Sequence, residues 1–352
     1  MSKSFEPRGA WTALATPFSK DGSVDDIALR RLVEFQVSSG VSGVVPCGTT
    51  GESPTLEWDE HERVIDVTVE VVNGRVGVLA GSGSNSTAEA IMATRHAMQA
   101  GASAALVVDC YYNGPSSLEL REHYYEEVLA AVPSIPLVPY VVPGRCGCVL
   151  GAADLALLHQ QDLKRVPAVK EATGDLKRMR EERELSGPSL SILSGDDELT
   201  LQLLRDRTIG ASGAISVMTN IVPAAIQKMI DSELGRDEQS ANAINEAISP
   251  IVELVTCSVE ASRSVGGRSV TTIDKYRNPV PVKTMMMGLG MLGTTFRSPL
   301  GFMSKSAVAQ CRLALRHMNE RDASLLAPVA EHFDVNIVER LNDDDVWSAL
   351  CR

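Results

Sequence analysis

The chain has 352 residues, 44% hydrophobic and 22% charged, the balance of a globular protein large enough for one extensive core plus a smaller appended unit. Asp and Glu outnumber Lys and Arg by 45 to 33, a formal net charge of -12, which argues against the basic face of a nucleic-acid partner and leaves small anions free to bind local cations. The polar stretch Met1–Arg8 lacks an apolar leader and no apolar run is long enough to span a bilayer, so a cytoplasmic protein without a membrane partner is expected.

Short runs rich in Val, Ile, Leu and Ala predict strands near 11–15, 43–46, 76–80, 104–109, 135–140, 166–170, 190–194 and 213–217. Helical periodicity begins between them, near 24, 57, 86, 117, 150, 174, 197 and 221. In the first helix Ile27, Leu32, Val33 and Phe35 are expected on one face. Asn85-Ser86-Thr87-Ala88-Glu89 has a polar cap candidate followed by Glu, the form of a helix start, and Gly40 and Gly101 stand where a left-handed residue closes a helix. Eight such pairs predict an α/β fold, a (β/α)8 TIM barrel over residues 9–236; a doubly wound open sheet is the competing arrangement.

Beyond residue 236 the alternation stops. Helices over 239–262, 281–292 and 304–318 are expected to build a C-terminal helical domain over 237–352, with an extended tail that is partly helical, packed, and frayed at its end.

In a barrel, chemistry lies at the carboxyl ends of the strands. The second strand ends in Cys47-Gly48-Thr49-Thr50-Gly51-Glu52, a tight turn whose N–H groups and hydroxyls can converge on a carboxylate, or merely reverse the chain. The fourth ends in Tyr111-Tyr112-Asn113, and the fifth carries Tyr140 and then Arg145, a two-pronged carboxylate binder. The sixth closes on Lys170, an amine delivered into a pocket. Its strongest chemical use there is as the nucleophile that forms an imine with a carbonyl substrate, one strand from a phenol that can carry protons.

Other signals are weaker. Seven cysteines, an odd number, suggest free thiols in a reducing compartment; Cys146 and Cys148 lack further ligands, and the six histidines show no metal-ligand spacing, so no metal is expected.

Gly48–Ser53, Tyr111–Asn113, Tyr140–Arg145, Val169–Gly174, Ser194–Asp197, Gly213–Val217 and Asn278–Lys283, in this order, resemble the motifs of the dihydrodipicolinate synthase family of pyruvate-dependent class I aldolases. The resemblance runs from about Gly9 to Ser304. It implies that Lys170 forms a Schiff base with pyruvate, whose enamine adds to L-aspartate 4-semialdehyde to give 4-hydroxy-tetrahydrodipicolinate on the diaminopimelate route to lysine. Tyr140 is implied as proton carrier, relayed through Thr50 and Tyr112; Thr49 as holder of the pyruvate carboxylate; Arg145 as receiver of the aldehyde's carboxylate; Gly195 and Ile215 as pocket lining. A homotetramer with no cofactor is implied, with Tyr112 at a contact between subunits. A regulatory lysine site is implied at Ser53, Pro54, His61, Asn85, Glu89 and Tyr111.

The chain departs from the family pattern at Val141, at Asp109-Cys110 and at Cys146, and has Trp58 where some lysine-sensitive members have histidine. These changes leave the implied catalytic groups intact and alter what surrounds them. A related sugar-acid aldolase or dehydratase, and a non-catalytic barrel acting by binding or assembly, are the alternatives.

Overall fold

The computed structural model describes residues 5–293 and 295–352; part of the Met1–Arg8 stretch therefore lies outside the described residues. Eight parallel strands close a barrel in chain order: β1 Gly9–Ala13, β2 Gly43–Val45, β3 Gly77–Gly81, β4 Ala104–Val108, β5 Leu137–Val141, β6 Ala168–Glu171, β7 Ser191–Ser194 and β8 Gly213–Ser216. Each falls within two residues of its expected run. Closure by the β1–β8 pairing, with Trp11 opposite Ile215, rules out the open sheet. Strands β1, β2, β3, β5, β6 and β8 are buried in every residue and β4 and β7 in all but one, because helices cover the outer face and side chains fill the ring. Trp11 fills the amino-terminal end of that ring: a Cβ on its neighbours Gly43 or Gly77 would come within 2.2 or 2.3 Å of the indole.

The outer helices are α1 Asp26–Ser38, α2 Trp58–Val72, α3 Thr87–Ala100, α4 (117–131, with a π-helical turn at Arg121–Tyr125), α5 Ala152–Gln161, α6 Leu176–Ser186, α7 Thr200–Arg205 and α8 Pro223–Leu234. Gly40 and Gly101 adopt the expected positive φ, 79° and 92°. One local expectation fails. Ile27 is 82% exposed while Leu29, Leu32, Val33 and Phe35 are buried, since at 100° per residue position 27 lies opposite the others. Within the polar string before α3 it is Ser86 that occupies the cap, and Glu89 accepts from the hydroxyl of Ser84.

The helix expected over 239–262 ends early, as α9 Glu238–Val252, and an antiparallel hairpin follows: β9 Thr256–Val265 and β10 Arg268–Arg277. The cause is a change of period, with Cys257 and Val259 buried and Ser258 and Glu260 exposed, then a Gly266-Gly267 turn at φ 58° and 78°. The distal half of the hairpin projects with Val265, Val270 and Ile273 exposed.

Helices α10 Val280–Leu289 and α11 Lys305–Arg321 match their expected spans within a few residues. The tail folds as α12 Ala327–Phe333, α13 Ile337–Asn342 and α14 Asp344–Ser348. Phe333 meets Phe35 of α1 edge-on at 5.3 Å, Trp347 fills the space left by Gly288 in α10, and Arg340 donates to the carbonyls of Gly288 and Met287 at 2.7 and 3.0 Å. The end is not frayed: Cys351 bridges Met303, and the Arg352 N–H donates to the Met303 carbonyl at 3.1 Å. Buried residues of barrel, α10, α11 and tail form one continuous core.

Candidate active site

Lys170 and Tyr140 are register partners on β6 and β5. Both are buried, 5% and 6% exposed, and the Lys170 Nζ lies 4.1 Å from the centroid of the Tyr140 ring. The aromatic face is thus packed against the amine, a contact that restricts where the amine can point. The space beside the amine is opened by Gly195 at the end of β7. A Cβ there would lie 3.2 Å from Lys170 Cε and 2.7 Å from Ala172 Cβ, while the Gly195 N–H donates to the Glu171 carbonyl at 2.7 Å. Any larger residue would press on the lysine. Ile215, fully buried on β8, belongs to the packed ring.

A cavity of about 460 Å³ opens above Tyr140, within the range of small-molecule sites, with Thr49, Ser53, Tyr111, Tyr140, Arg145 and Asn278 on its wall. Lys170 is not on that wall but packs against Tyr140, which is. The two threonines part company: Thr49 is half-buried on the wall, whereas Thr50 is 1% exposed and its Oγ1 accepts from Asn278 Nδ2 at 3.0 Å. Arg145 follows Pro143 in a single helical turn at the mouth and donates through Nη2 to the Asn278 carbonyl at 2.9 Å.

The Thr49–Thr50 turn is held from behind by a buried ion pair. Glu52, at φ 58°, points inward to Lys283 of α10, both side chains being fully buried, and Lys283 also donates to the Thr16 carbonyl at 2.9 Å. Phe18 lies 4.4 Å from its ammonium. Burial pushes the Glu52 carboxyl up and the Lys283 amine down, and each partner opposes the shift of the other.

Beneath the β4 end lies a second buried carboxylate. Asp109 accepts from the Tyr125 hydroxyl at 2.6 Å and from the Leu150 N–H at 3.1 Å, tying the tyrosine loop to the segment after Arg145. Burial pushes it up to about 6 against these hydrogen bonds. Around it Cys110, Cys146 and Cys148 are free thiols, their titration raised first by burial. Among the described residues no cluster of three or more metal-binding side chains occurs.

Tyr112 is not brought to the amine: it is 90% exposed at φ 79°, its N–H donating to the Cys146 carbonyl at 3.2 Å. The residues implied in lysine binding divide. Ser53, Pro54 and Tyr111 share the cavity wall; Asn85 and Glu89 gather with Tyr111 around Ser84. His61 is 4% exposed, its ring tilted at 60° to that of Trp58 with centroids 5.1 Å apart, and burial pulls its titration down to about 4.

Asn278, Glu52 and Lys283 support the site, and in the sequence they stand only as members of longer motifs. A polar residue beside Pro279 and a lysine inside an apolar helical run were the available signals.

Comparison with known proteins extends this geometry. Residues 6–265 match the family model for the dihydrodipicolinate synthetase family. A 4-hydroxy-tetrahydrodipicolinate synthase of Syntrophus aciditrophicus is 39% identical over 300 residues, 85% of this chain and 94% of the relative. One of Syntrophobacter fumaroxidans is 44% identical over 244 residues, 69% of this chain and 81% of the relative. The crystal structure of a dihydrodipicolinate synthase from Aquifex aeolicus superposes with a TM-score of 0.79 at 36% identity, covering 89% of this chain and 98% of that one. The closed barrel agrees with these likenesses, and the chain belongs to the dihydrodipicolinate synthetase family.

Proposed function

We propose that the protein condenses pyruvate with L-aspartate 4-semialdehyde to give 4-hydroxy-tetrahydrodipicolinate. The observation that carries the reading is a buried lysine packed against a tyrosine ring at the carboxyl end of a barrel, below a cavity with an arginine at its mouth. Lys170 attacks the ketone, water leaves, and the protonated imine acts as an electron sink so that the methyl carbon gives up a proton and becomes an enamine. That carbon forms the new bond to the aldehyde, and ring closure by the co-substrate's amino nitrogen at the imine carbon returns the lysine. Each step moves a proton, for which Tyr140 is the carrier and Thr50 the relay. Thr49 and the N–H groups of its turn hold the ketoacid carboxylate; Arg145 takes that of the aldehyde.

The exposure of Tyr112 supports a role across a subunit contact, in which a neighbouring copy of a homotetramer receives it. No helix among the described residues is long and apolar enough to cross a membrane. The wall position of Ser53 and Tyr111 supports a nearby effector site for lysine; an unchanged rate in millimolar lysine would dismiss it.

Incubation with pyruvate and borohydride, followed by peptide mapping and a coupled assay with the semialdehyde, tests the reading. A reduced adduct on Lys170, absent from Lys170→Ala, is expected; an adduct persisting elsewhere in that variant overturns it. Turnover of sugar-derived aldehydes in preference to the semialdehyde would favour the related aldolases.

A further inference from the structure

Asn278 stands where the hairpin ends and α10 begins, and its polar atoms serve two separate parts of the site. Its side-chain Nδ2 donates to Thr50 Oγ1 at 3.0 Å, while its main-chain oxygen accepts from Arg145 Nη2 at 2.9 Å. The residues on either side keep it there. Arg277 donates to the Gly144 carbonyl at 3.4 Å, and Lys283, on the first turns of α10, is locked to Glu52 and Thr16.

The first of these hydrogen bonds has a directional consequence. A hydroxyl that accepts from an amide N–H must aim its own proton elsewhere. The Thr50 O–H finds no acceptor among the described residues, although the side chain is 1% exposed. A buried O–H kept without an acceptor among the described residues is a donor held in reserve, since leaving it unmade costs stability that a partner would restore. The Asn278 Oδ1 is likewise buried without a partner, so the bond to Thr50 is the one its side chain makes among the described residues.

We propose that Asn278 is a positioning residue for the condensation, its amide fixing the direction in which Thr50 gives its proton while its backbone carbonyl independently aims Arg145. This rests on the Schiff-base reading above. The two roles separate experimentally, because replacing the side chain removes the bond to Thr50 and leaves the carbonyl that holds Arg145. The side chain therefore governs turnover and the backbone governs the grip on the aldehyde.

The full-length chain is compared with Asn278→Ala, Asn278→Asp, Thr50→Val and the Ala/Val double variant, with pyruvate and L-aspartate 4-semialdehyde as substrates. In Asn278→Ala kcat is expected to fall about 10- to 100-fold, the scale of a weakened proton transfer, while KM for the aldehyde stays within about 3-fold and Lys170 is still trapped by pyruvate and borohydride. In Asn278→Asp an ionised carboxylate can only accept, so it draws the Thr50 proton away. Its kcat is expected to be low at alkaline pH and to climb as the pH falls through the titration of that carboxyl, a limb missing from the wild type. The double variant should be no slower than Thr50→Val alone.

A kcat for Asn278→Ala within about twofold of the wild type overturns the proposal, as do losses that add independently in the double variant or a KM for the aldehyde that rises in step with the loss of kcat. Failure of the wild type itself to form the lysine adduct is a different result: it removes the Schiff-base reading, and the proposal with it.

Discussion

Tyr140 and Lys170 are paired across neighbouring parallel strands, and that register places the phenol ring 4.1 Å from the amine without help from any loop. Removing only the hydroxyl separates chemistry from packing. Tyr140→Phe keeps the ring over the amine and is expected to lower kcat by about 10²- to 10⁴-fold, the usual worth of a proton-transfer group, with unfolding temperature unchanged. Steady-state kinetics beside a thermal melt checks this; undiminished kcat would remove Tyr140 from the proton path.

Gly195 predicts an effect on the same amine from the other side. With Lys170 Cε 3.2 Å and Ala172 Cβ 2.7 Å from the position of an added Cβ, Gly195→Ala must displace the lysine or the backbone that bears it. Slower imine formation, read by single-turnover trapping, is expected along with a destabilisation of about 1–3 kcal/mol from overpacking. Wild-type trapping rates in this variant would show the lysine to have more room than the geometry allows.

The Glu52–Lys283 pair should respond asymmetrically. Lys283→Met leaves a carboxylate buried without its cation and is expected to cost about 3–5 kcal/mol, whereas adding Glu52→Gln returns much of the loss. Denaturant unfolding of the single and double variants measures it. The pair also backs the Thr49–Thr50 turn, so the single variant should raise KM for pyruvate; losses that sum in the double variant would contradict a coupled pair.

Asp109 and His61 act oppositely on acid stability. Asp109 titrates at about 6 when folded against an ordinary 3.8, so the folded state holds its proton longer; the stability this adds at low pH, about 3 kcal/mol, is lost as the pH rises between those values. His61, pulled down to about 4 from 6.5, resists protonation when folded, so its contribution is complete above 6.5 and disappears as the pH falls toward 4. Unfolding free energies of Asp109→Asn and His61→Gln, each subtracted from the wild type between pH 4 and 7, should therefore slope in opposite directions. Two flat differences would refute both assignments.

Much of this architecture was readable from the chain because its signals are local. Each barrel strand is a short β-branched or aliphatic run bounded by glycine or a polar turn, and Lys170 breaks such a run in a way few structural roles explain. What stayed hidden depends on distance or on phase. Glu52 and Lys283 are 231 residues apart, and nothing in either segment names the other. The β9 strand begins with residues compatible with continuing α9, and only the Gly266-Gly267 pair marks the reversal. Ile27 is apolar like its neighbours, and only its angle around the helix axis puts it in solvent. Thr49 and Thr50 are chemically alike in sequence, and only the fold turns one to the cavity and the other to Asn278.

The indole of Trp347 occupies the notch at Gly288, and five residues earlier the same helix presents Lys283 to the threonine turn. The far extension and the reaction centre consequently share a single rod as their lever. Bulk introduced at position 288 would evict the indole, and the disturbance would travel along that rod to the turn, so mutational tolerance in the last thirty residues is governed in part by chemistry performed at the opposite end of α10.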